Sequence, residues 1–207
     1  MSGLGRDGRS LAIATKILMC RLLRQGTRLE ERELARVLRQ RTRVGGWIKM
    51  KKITFARVDD RLIHGEVVTA WVPTYRINHI IIVDDTVAKD PFQRRVLKTL
   101  APRAVRVDPM SVKEATDYLG GEDNEKERIL LLTKSPTYYE QLAENGIQLP
   151  QVNLGGMGLR GDRKPFVKNV AADPVEIEAI KNLVSKEVHV FYQLVPEQRL
   201  IEITNLI

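Results

Sequence analysis

The chain has 207 residues, 43% of them apolar, and a formal net charge of +8. That length suits one α/β domain of ordinary size or a domain with an extension, and the apolar share is enough for a buried core. A single cysteine, Cys20, excludes a disulfide framework and a cysteine-based metal site, and it fits a reducing cytosol.

The positive charge is not spread along the chain. Residues 1–49 carry 12 of the 34 Lys and Arg and 4 of the 26 Asp and Glu, so residues 50–207 carry 22 of each. The excess sits in the N-terminal quarter, and the rest lacks the domain-wide basic field of a nucleic-acid-binding protein. The apolar stretch Leu11–Met19 is interrupted by Lys16 and is too short to span a bilayer. Arg21 and Arg24 follow it, where a secretory signal would place small residues for cleavage. Glu30 to Arg43 is expected as a charged helix ending at Gly45-Gly46. Met50-Lys51-Lys52 reads as a natural start just ahead of a strand. Residues 1–49 are therefore expected to be a basic, Arg-rich extension, disordered or non-native, and 50–207 the folded domain. A basic tail for membrane or nucleic acid is the alternative.

From Ile53 the pattern alternates strand and helix. Ile53–Val58 reads as a strand and Val67–Tyr75 as a short helix. His79–Val83 is continuously apolar, as in a strand buried on both faces of a parallel sheet. Asp90-Pro91 opens a helix through Leu100, with proline suited to the first turn. Ala104–Val107 is expected as a short strand. Ser111 and Glu114 form a capping box for a helix ending at Gly120-Gly121. Arg128–Thr133 is another buried strand, and Ser135-Pro136 caps a helix that stops at Asn145-Gly146. Gln151–Leu154 is a strand running into Gly155-Gly156-Met157-Gly158. Phe166–Val170 reads as a further strand, Asp173 and Glu176 as a second capping box for a helix to Lys186, and Val188–Leu194 as the last long strand, followed by Ile201–Thr204. The fold class is α/β: an open, mainly parallel sheet with helices on both faces and an antiparallel edge strand.

Ligands of such sheets bind beyond the carboxyl ends of the strands. His64 lies there, between the first strand and the helix from Val67, beside Gly65. Backbone N–H groups and the positive end of the helix could receive a phosphate. A cation is disfavoured at that position, and neutral imidazole is the nucleophilic form. Arg61 and Arg57 could neutralise phosphoryl oxygens as bidentate forks, although the direction of Arg57 depends on where its strand ends. Asp59 and Asp60 would repel a phosphate, so they are expected to orient His64 or Arg61 or to cap the loop. Gly155, Gly156 and Gly158 let a backbone approach an anion, and Arg160, Arg163 and Lys164 could close around it. A bland reading stands beside each: a loop histidine on the surface, and a flexible glycine turn. His79 and His189 sit in predicted strands and read as structural. No spacing of His, Cys or carboxylates suggests a metal, and no P-loop is present.

The run Arg57-Val58-Asp59-Asp60-Arg61-Leu62-Ile63-His64-Gly65, with Val67 and Trp71, resembles the active-site loop of the IIB component of the bacterial phosphoenolpyruvate-dependent sugar phosphotransferase system (PTS), mannose/fructose/sorbose class. The resemblance continues through Ile81–Asp85, Asn153–Gly158, Lys168-Asn169-Val170 and Gln193–Pro196, and it covers residues 50–207 but none of 1–49. It implies that His64 accepts a phosphoryl group from a IIA phosphodonor and passes it to a sugar imported by the membrane IIC and IID components. Mannose, fructose, sorbose or an N-acetylated amino sugar are the classes in view. Arg61, with Arg57, would stabilise the travelling charge; Asp59, Gly65 and the second-loop glycines would be accessory. No cofactor is implied, a homodimer is left open, and the implied location is cytoplasmic, held at the inner face of the membrane by the partners. One departure stands out: many relatives carry glutamine where this chain has Glu66. That carboxylate is unfavourable to a phosphohistidine if it points inward. Two rival readings are a histidine phosphatase or phosphomutase, whose Arg-His-Gly-Glu motif is broken here by Ile63, and a regulatory nucleic-acid-binding module using the basic extension.

Overall fold

The computed structural model describes residues 50–207. The expected helix over Glu30 to Arg43 and the character of residues 1–49 lie outside them. Nine strands follow in chain order: β1 (Ile53–Asp59), β2 (His79–Val83), β3 (Arg106–Met110), β4 (Ile129–Thr133), β5 (Gln151–Gly156), β6 (Lys164–Val167), β7 (Val170–Ala172), β8 (His189–Tyr192) and β9 (Ile201–Glu202). Seven of them form one sheet in the order β3-β2-β4-β1-β5-β8-β9, and β6 and β7 form a separate antiparallel pair. Every pairing in the large sheet is parallel except β8 with β9 at the edge.

Six helices connect the strands: α1 (Val72–Thr74), which continues a π-helical turn at Val67–Trp71, α2 (Asp85–Lys89), α3 (Pro91–Thr99), α4 (Val112–Leu119), α5 (Pro136–Glu144) and α6 (Pro174–Ser185). They cover both faces. Ala56, Val58, Ile81, Leu131 and Leu154 pack on one side with residues of α4, α5 and α6. Phe55, Ile80, Ile82, Leu130 and Leu132 pack on the other with Trp71, Val87 and Leu97. Alternate side chains of a strand leave opposite faces, so the continuously apolar runs of β2 and β4 feed both cores.

The start signals act as read. Asp90 accepts from the N–H groups of Phe92 and Gln93, and capping boxes open α4 at Ser111 and α6 at Asp173. Each such cap satisfies N–H groups that a helix start leaves free. Several boundaries differ from expectation. A helix not anticipated, α2, is nucleated by Asp84, whose carboxylate accepts from Thr86 and Val87. The third strand begins at Arg106 and runs through Pro109; it is an edge strand, where a residue without an N–H is tolerated. Phe166–Val170 is not one strand. The chain reverses at Lys168, which takes a positive φ of 48°, and makes the β6–β7 hairpin. The last long strand stops at Tyr192 because Gln193 and Leu194 turn into the site described below.

His79 and His189 sit in strands as expected. His79, the first residue of β2, is buried at the end of the sheet opposite the carboxyl ends, with Nδ1 2.8 Å from Glu127 and Nε2 3.1 Å from Asp108. Lys51 reaches Glu127 at 2.8 Å, and the Tyr118 hydroxyl donates to it. Burial alone would push the Glu127 carboxyl up; hydrogen bonds from Lys51, Tyr118 and His79 outweigh it and hold the group at about 2, below its ordinary 4.5. A depressed carboxyl stabilises the fold above its unfolded value and loses that contribution as pH falls towards the folded one. Glu127→Gln is therefore expected to be less stable than wild type in urea melts at pH 6, with the gap narrowing as pH drops from 4.5 towards 2; a gap that is constant with pH would refute the assignment.

Candidate active site

The loops leaving β1, β5 and β8 meet beyond the carboxyl ends of these strands, near the middle of the sheet. Arg57 and Asp59 are two apart on β1, so their side chains leave the same face. Neither has any exposed side-chain surface, and Arg57 Nη2 donates to Asp59 Oδ2 at 2.9 Å. The rest of the Arg57 fork spans the neighbouring loops. Nη1 donates to the side chain of Asn153, its register partner on β5, and to the carbonyl of Gln193 at 3.1 Å. Nη2 also lies 3.3 Å from the carbonyl of Leu194.

The register between β1 and β5 shifts here. Val58 pairs with Leu154 and Asp59 with Gly156, which leaves Gly155 as the extra residue. A bulge of this kind re-aims side chains next to functional sites. A Cβ on Gly155 would overlap the Arg57 guanidinium. The missing side chain is the space in which Arg57 lies.

After Asp59 the chain turns, with the Leu62 N–H on the Asp59 carbonyl at 3.0 Å and Leu62 in the left-handed region at φ 56°. That conformation costs a non-glycine residue roughly 1–2 kcal/mol. Leu62 and its neighbour Ile63 are both buried in the core under the loop, and full burial of each side chain is worth about 1.5–3 kcal/mol. Burial wins, and the turn is held with His64 at its outer end. The imidazole is mostly enclosed, with 14% of its side chain exposed, and Nε2 lies 3.0 Å from Asp59 Oδ2.

Asp59 thus gathers three cationic or donating groups. Besides Arg57 and His64, it accepts from Arg61 Nε at 3.0 Å, Arg61 Nη2 at 3.2 Å and the Arg61 backbone N–H at 3.2 Å. Burial alone would raise its carboxyl; hydrogen bonds from His64 and Arg61 and the charge of Arg57 reverse this and hold it well below the usual carboxylate range. Arg61 is half-exposed, and its Nη2 also reaches Glu66 Oε2 at 2.9 Å. The Glu66 carboxylate therefore faces Arg61, and the pairing with Asp59 and then Glu66 raises the guanidinium further against deprotonation.

The helix that follows supports this floor. The Val68 N–H bonds the His64 carbonyl at 3.0 Å, and the turn then widens so that Val72 reaches back to the Val67 carbonyl. Single π turns of this type are frequent at functional sites. Trp71 stacks on Phe55 at 4.6 Å, lies 5.1 Å from the Arg57 guanidinium and donates its indole N–H to Leu194 at 3.2 Å. The Trp71 ring and the Arg57 fork hold the Gln193–Leu194 turn between them.

The expected anion cradle of the second loop is filled from inside the protein. Gly158 N–H, Arg160 and Arg163 all donate to the carboxylate of Asp60, at 2.8, 3.0 and 2.7 Å. Arg163 is itself buried and forked onto Glu176 at 2.8 and 2.6 Å. Gly156 lies against Asp59 and Arg61, with its carbonyl on the Asp60 N–H at 2.8 Å. Gly155 thus makes room for a guanidinium, and the Gly158 N–H binds a carboxylate. Arg57 is likewise enclosed and does not front the site. Gly65 has open space around it at the helix start. Asn153, Trp71 and the Gln193 and Leu194 carbonyls were given no individual role by sequence reading; the i, i+2 pair of opposite charges on one strand face was the available signal for a buried network.

Comparison with known proteins places the chain in a family. Residues 53–207 match the family model described as PTS system sorbose subfamily IIB component. The chain belongs to the sorbose-type PTS IIB family. It is 34% identical over 132 residues to the sorbose-specific EIIB component of Klebsiella pneumoniae, covering 64% of this chain and 80% of that one. It is 37% identical over 131 residues to the mannose-specific EIIAB component of Escherichia coli (strain K12), covering 63% of this chain but only 41% of the length of that relative. The crystal structure of the IIBSor domain of the sorbose permease from Klebsiella pneumoniae superposes with a TM-score of 0.69 at 31% identity, over 74% of this chain and 94% of that one. PTS IIB components are phosphotransferases of the sugar PTS. In this IIB domain, among the described residues, no helix is long and apolar enough to cross a membrane.

Gly155→Ala tests the bulge. The added methyl must displace the Arg57 fork from its partners, and overpacking of this kind costs about 1–3 kcal/mol. A lower urea midpoint with an unchanged slope is expected; a variant as stable as wild type would show that the fork has room to shift.

Proposed function

We propose that His64 Nδ1 accepts a phosphoryl group from a phosphohistidine of a PTS IIA partner and yields it to a sugar delivered by the membrane IIC and IID components. The observation that carries this reading is the 3.0 Å contact between His64 Nε2 and the buried Asp59 carboxylate. An ionised carboxylate only accepts, so Nε2 carries the hydrogen and the neutral ring keeps its lone pair on Nδ1. Asp59 is thereby a positioning residue that selects the tautomer.

Transfer then needs no proton to move between the two imidazoles. The Nδ1 lone pair forms the new N–P bond while the electrons of the old N–P bond return to the donor ring. In the second step a sugar hydroxyl oxygen attacks phosphorus, the N–P electrons return to Nδ1, and the hydroxyl proton leaves to solvent. Arg61 is the half-exposed cation beside Nε2's partner and is suited to the charge on the equatorial oxygens. Arg57 contributes through Asp59. Positioning and electrostatics do the work, as in other phosphoryl transfers. The reading assigns this activity to residues 50–207 at the inner face of the membrane, with a sugar of the sorbose, mannose, fructose or N-acetylated amino sugar class.

The test is incubation of the full chain with phosphoenolpyruvate, Enzyme I, HPr and a matching IIA. Acid-labile phosphate is expected on wild type and none on His64→Ala, and labelling that persists in the variant would sink the assignment. Asp59→Asn frees the tautomer and is expected to slow labelling at least about tenfold. A chain that releases its label to water without sugar or membrane components would instead be a phosphatase.

A further inference from the structure

The imidazole touches a chain of four linked charges that cancel. Arg57 and Arg61 supply two positive charges, and Asp59 and Glu66 supply two negative ones, linked by contacts of 2.9 to 3.2 Å. Arg57 and Asp59 are buried and matched to each other, so the charge available to an incoming anion is that of Arg61. Glu66 already occupies Arg61 Nη2 from the exposed side at 2.9 Å. A phosphoryl group on Nδ1 places about two negative charges on its oxygens, one of them offset by the ring cation formed when Nε2 keeps its hydrogen, at a site that is neutral with Glu66 in place and would be positive without it.

We infer that Glu66 is an internal competitor of the phosphoryl group for Arg61, which lowers the equilibrium occupancy of phospho-His64 and raises its tendency to pass the group on. This rests on the phosphohistidine reading of His64. The exchange is donor-His–P plus His64 giving donor-His plus His64–P, one N–P bond broken and one formed, with no net proton. Glu66 affects the two forms of His64 in opposite senses: it holds Arg61 when His64 is free, on the left, and faces the phosphoryl anion when His64 is phosphorylated, on the right. Two consequences follow. The empty site keeps Arg61 in register with Asp59, and the filled site is a better donor than one with a neutral residue at this position. Because Glu66 and Arg61 are both partly exposed, the effect is modest and salt-sensitive.

The experiment uses the full chain and a fixed amount of pre-phosphorylated IIA, freed of phosphoenolpyruvate and Enzyme I, and reads the distribution of label at equilibrium. Glu66→Gln keeps the shape and removes the charge; Glu66→Ala is the second variant, and His64→Ala the blank. Both Glu66 variants are expected to favour label on His64 by about three- to tenfold over wild type in low salt, with the difference shrinking towards unity near 1 M salt. Equal distributions in low salt would overturn the inference, as would a shift towards the donor, which would mean that Glu66 serves phosphorylation by holding Arg61. Failure of the underlying reading looks different: neither wild type nor the Glu66 variants would take label above the His64→Ala blank.

Discussion

A guanidinium and a carboxylate with no exposed side-chain surface, Arg57 and Asp59, lie 2.9 Å apart at the carboxyl end of the central strand. Removing two charges from water costs several kcal/mol each, and their attraction offsets this only when the remaining hydrogen-bonding capacity is met. The surrounding structure meets most of it. Asn153 and the Gln193 and Leu194 carbonyls take the Arg57 donors, while His64 and Arg61 take the Asp59 oxygens. Among the described residues Arg57 Nε alone of its nitrogens is left without a partner. The groups that satisfy the pair come from β5, from the loop after β1 and from the loop after β8, so satisfying it assembles the site. Breaking such a pair by deleting one member typically costs 3–5 kcal/mol, which makes the arrangement rigid as well as specific.

The same logic runs outward from this centre. Asp60 repeats it one residue along, drawing Gly158, Arg160 and Arg163 onto a second carboxylate and tying the β5–β6 connection to the β1 loop. Arg163 passes the constraint to Glu176 in the first turn of α6. Consecutive aspartates thus serve two loops because successive side chains at a strand end point apart. The aromatic group of Phe55, Trp71 and Tyr75 closes the remaining side with stacked rings at 4.4 to 6.1 Å. A histidine set on this frame has one nitrogen committed and one free, which is what a phosphoryl acceptor requires.

Much was legible before the fold was known. His64, Arg61 and the strand-turn-helix around them are local in sequence, and so are the caps at Asp90, Ser111 and Asp173, because each cap bonds backbone two or three residues away. The engagement of Asp59 and Asp60 with neighbouring cations follows from charge alone: a carboxylate enclosed at a strand end needs donors around it. What was not legible depended on distant partners or on a turn without a signature residue. Gly155 and Gly158 have the composition of an anion cradle, yet Gly155 lies against the Arg57 guanidinium and the carboxylate on the Gly158 N–H is Asp60, about a hundred residues away. The reversal at Lys168 had no glycine to announce it, since the positive φ falls on a lysine.

By itself the amino-acid sequence determined the alternating strand and helix order, the helix starts and the placing of His64 on a turn between a strand end and a helix, since periodicity, capping and motif spacing act over a few residues. The tertiary structure decided the rest. It turned Arg57 inward, chose which histidine nitrogen is committed to Asp59, filled the glycine loop with Asp60 and faced Glu66 towards Arg61. Each of these is settled by where a charge finds its counter-charge: for Arg57, His64 and Glu66 it lies within five residues but comes into reach only once the β1 turn has formed, and for Asp60 it lies about a hundred residues away, across the crossovers of a parallel sheet.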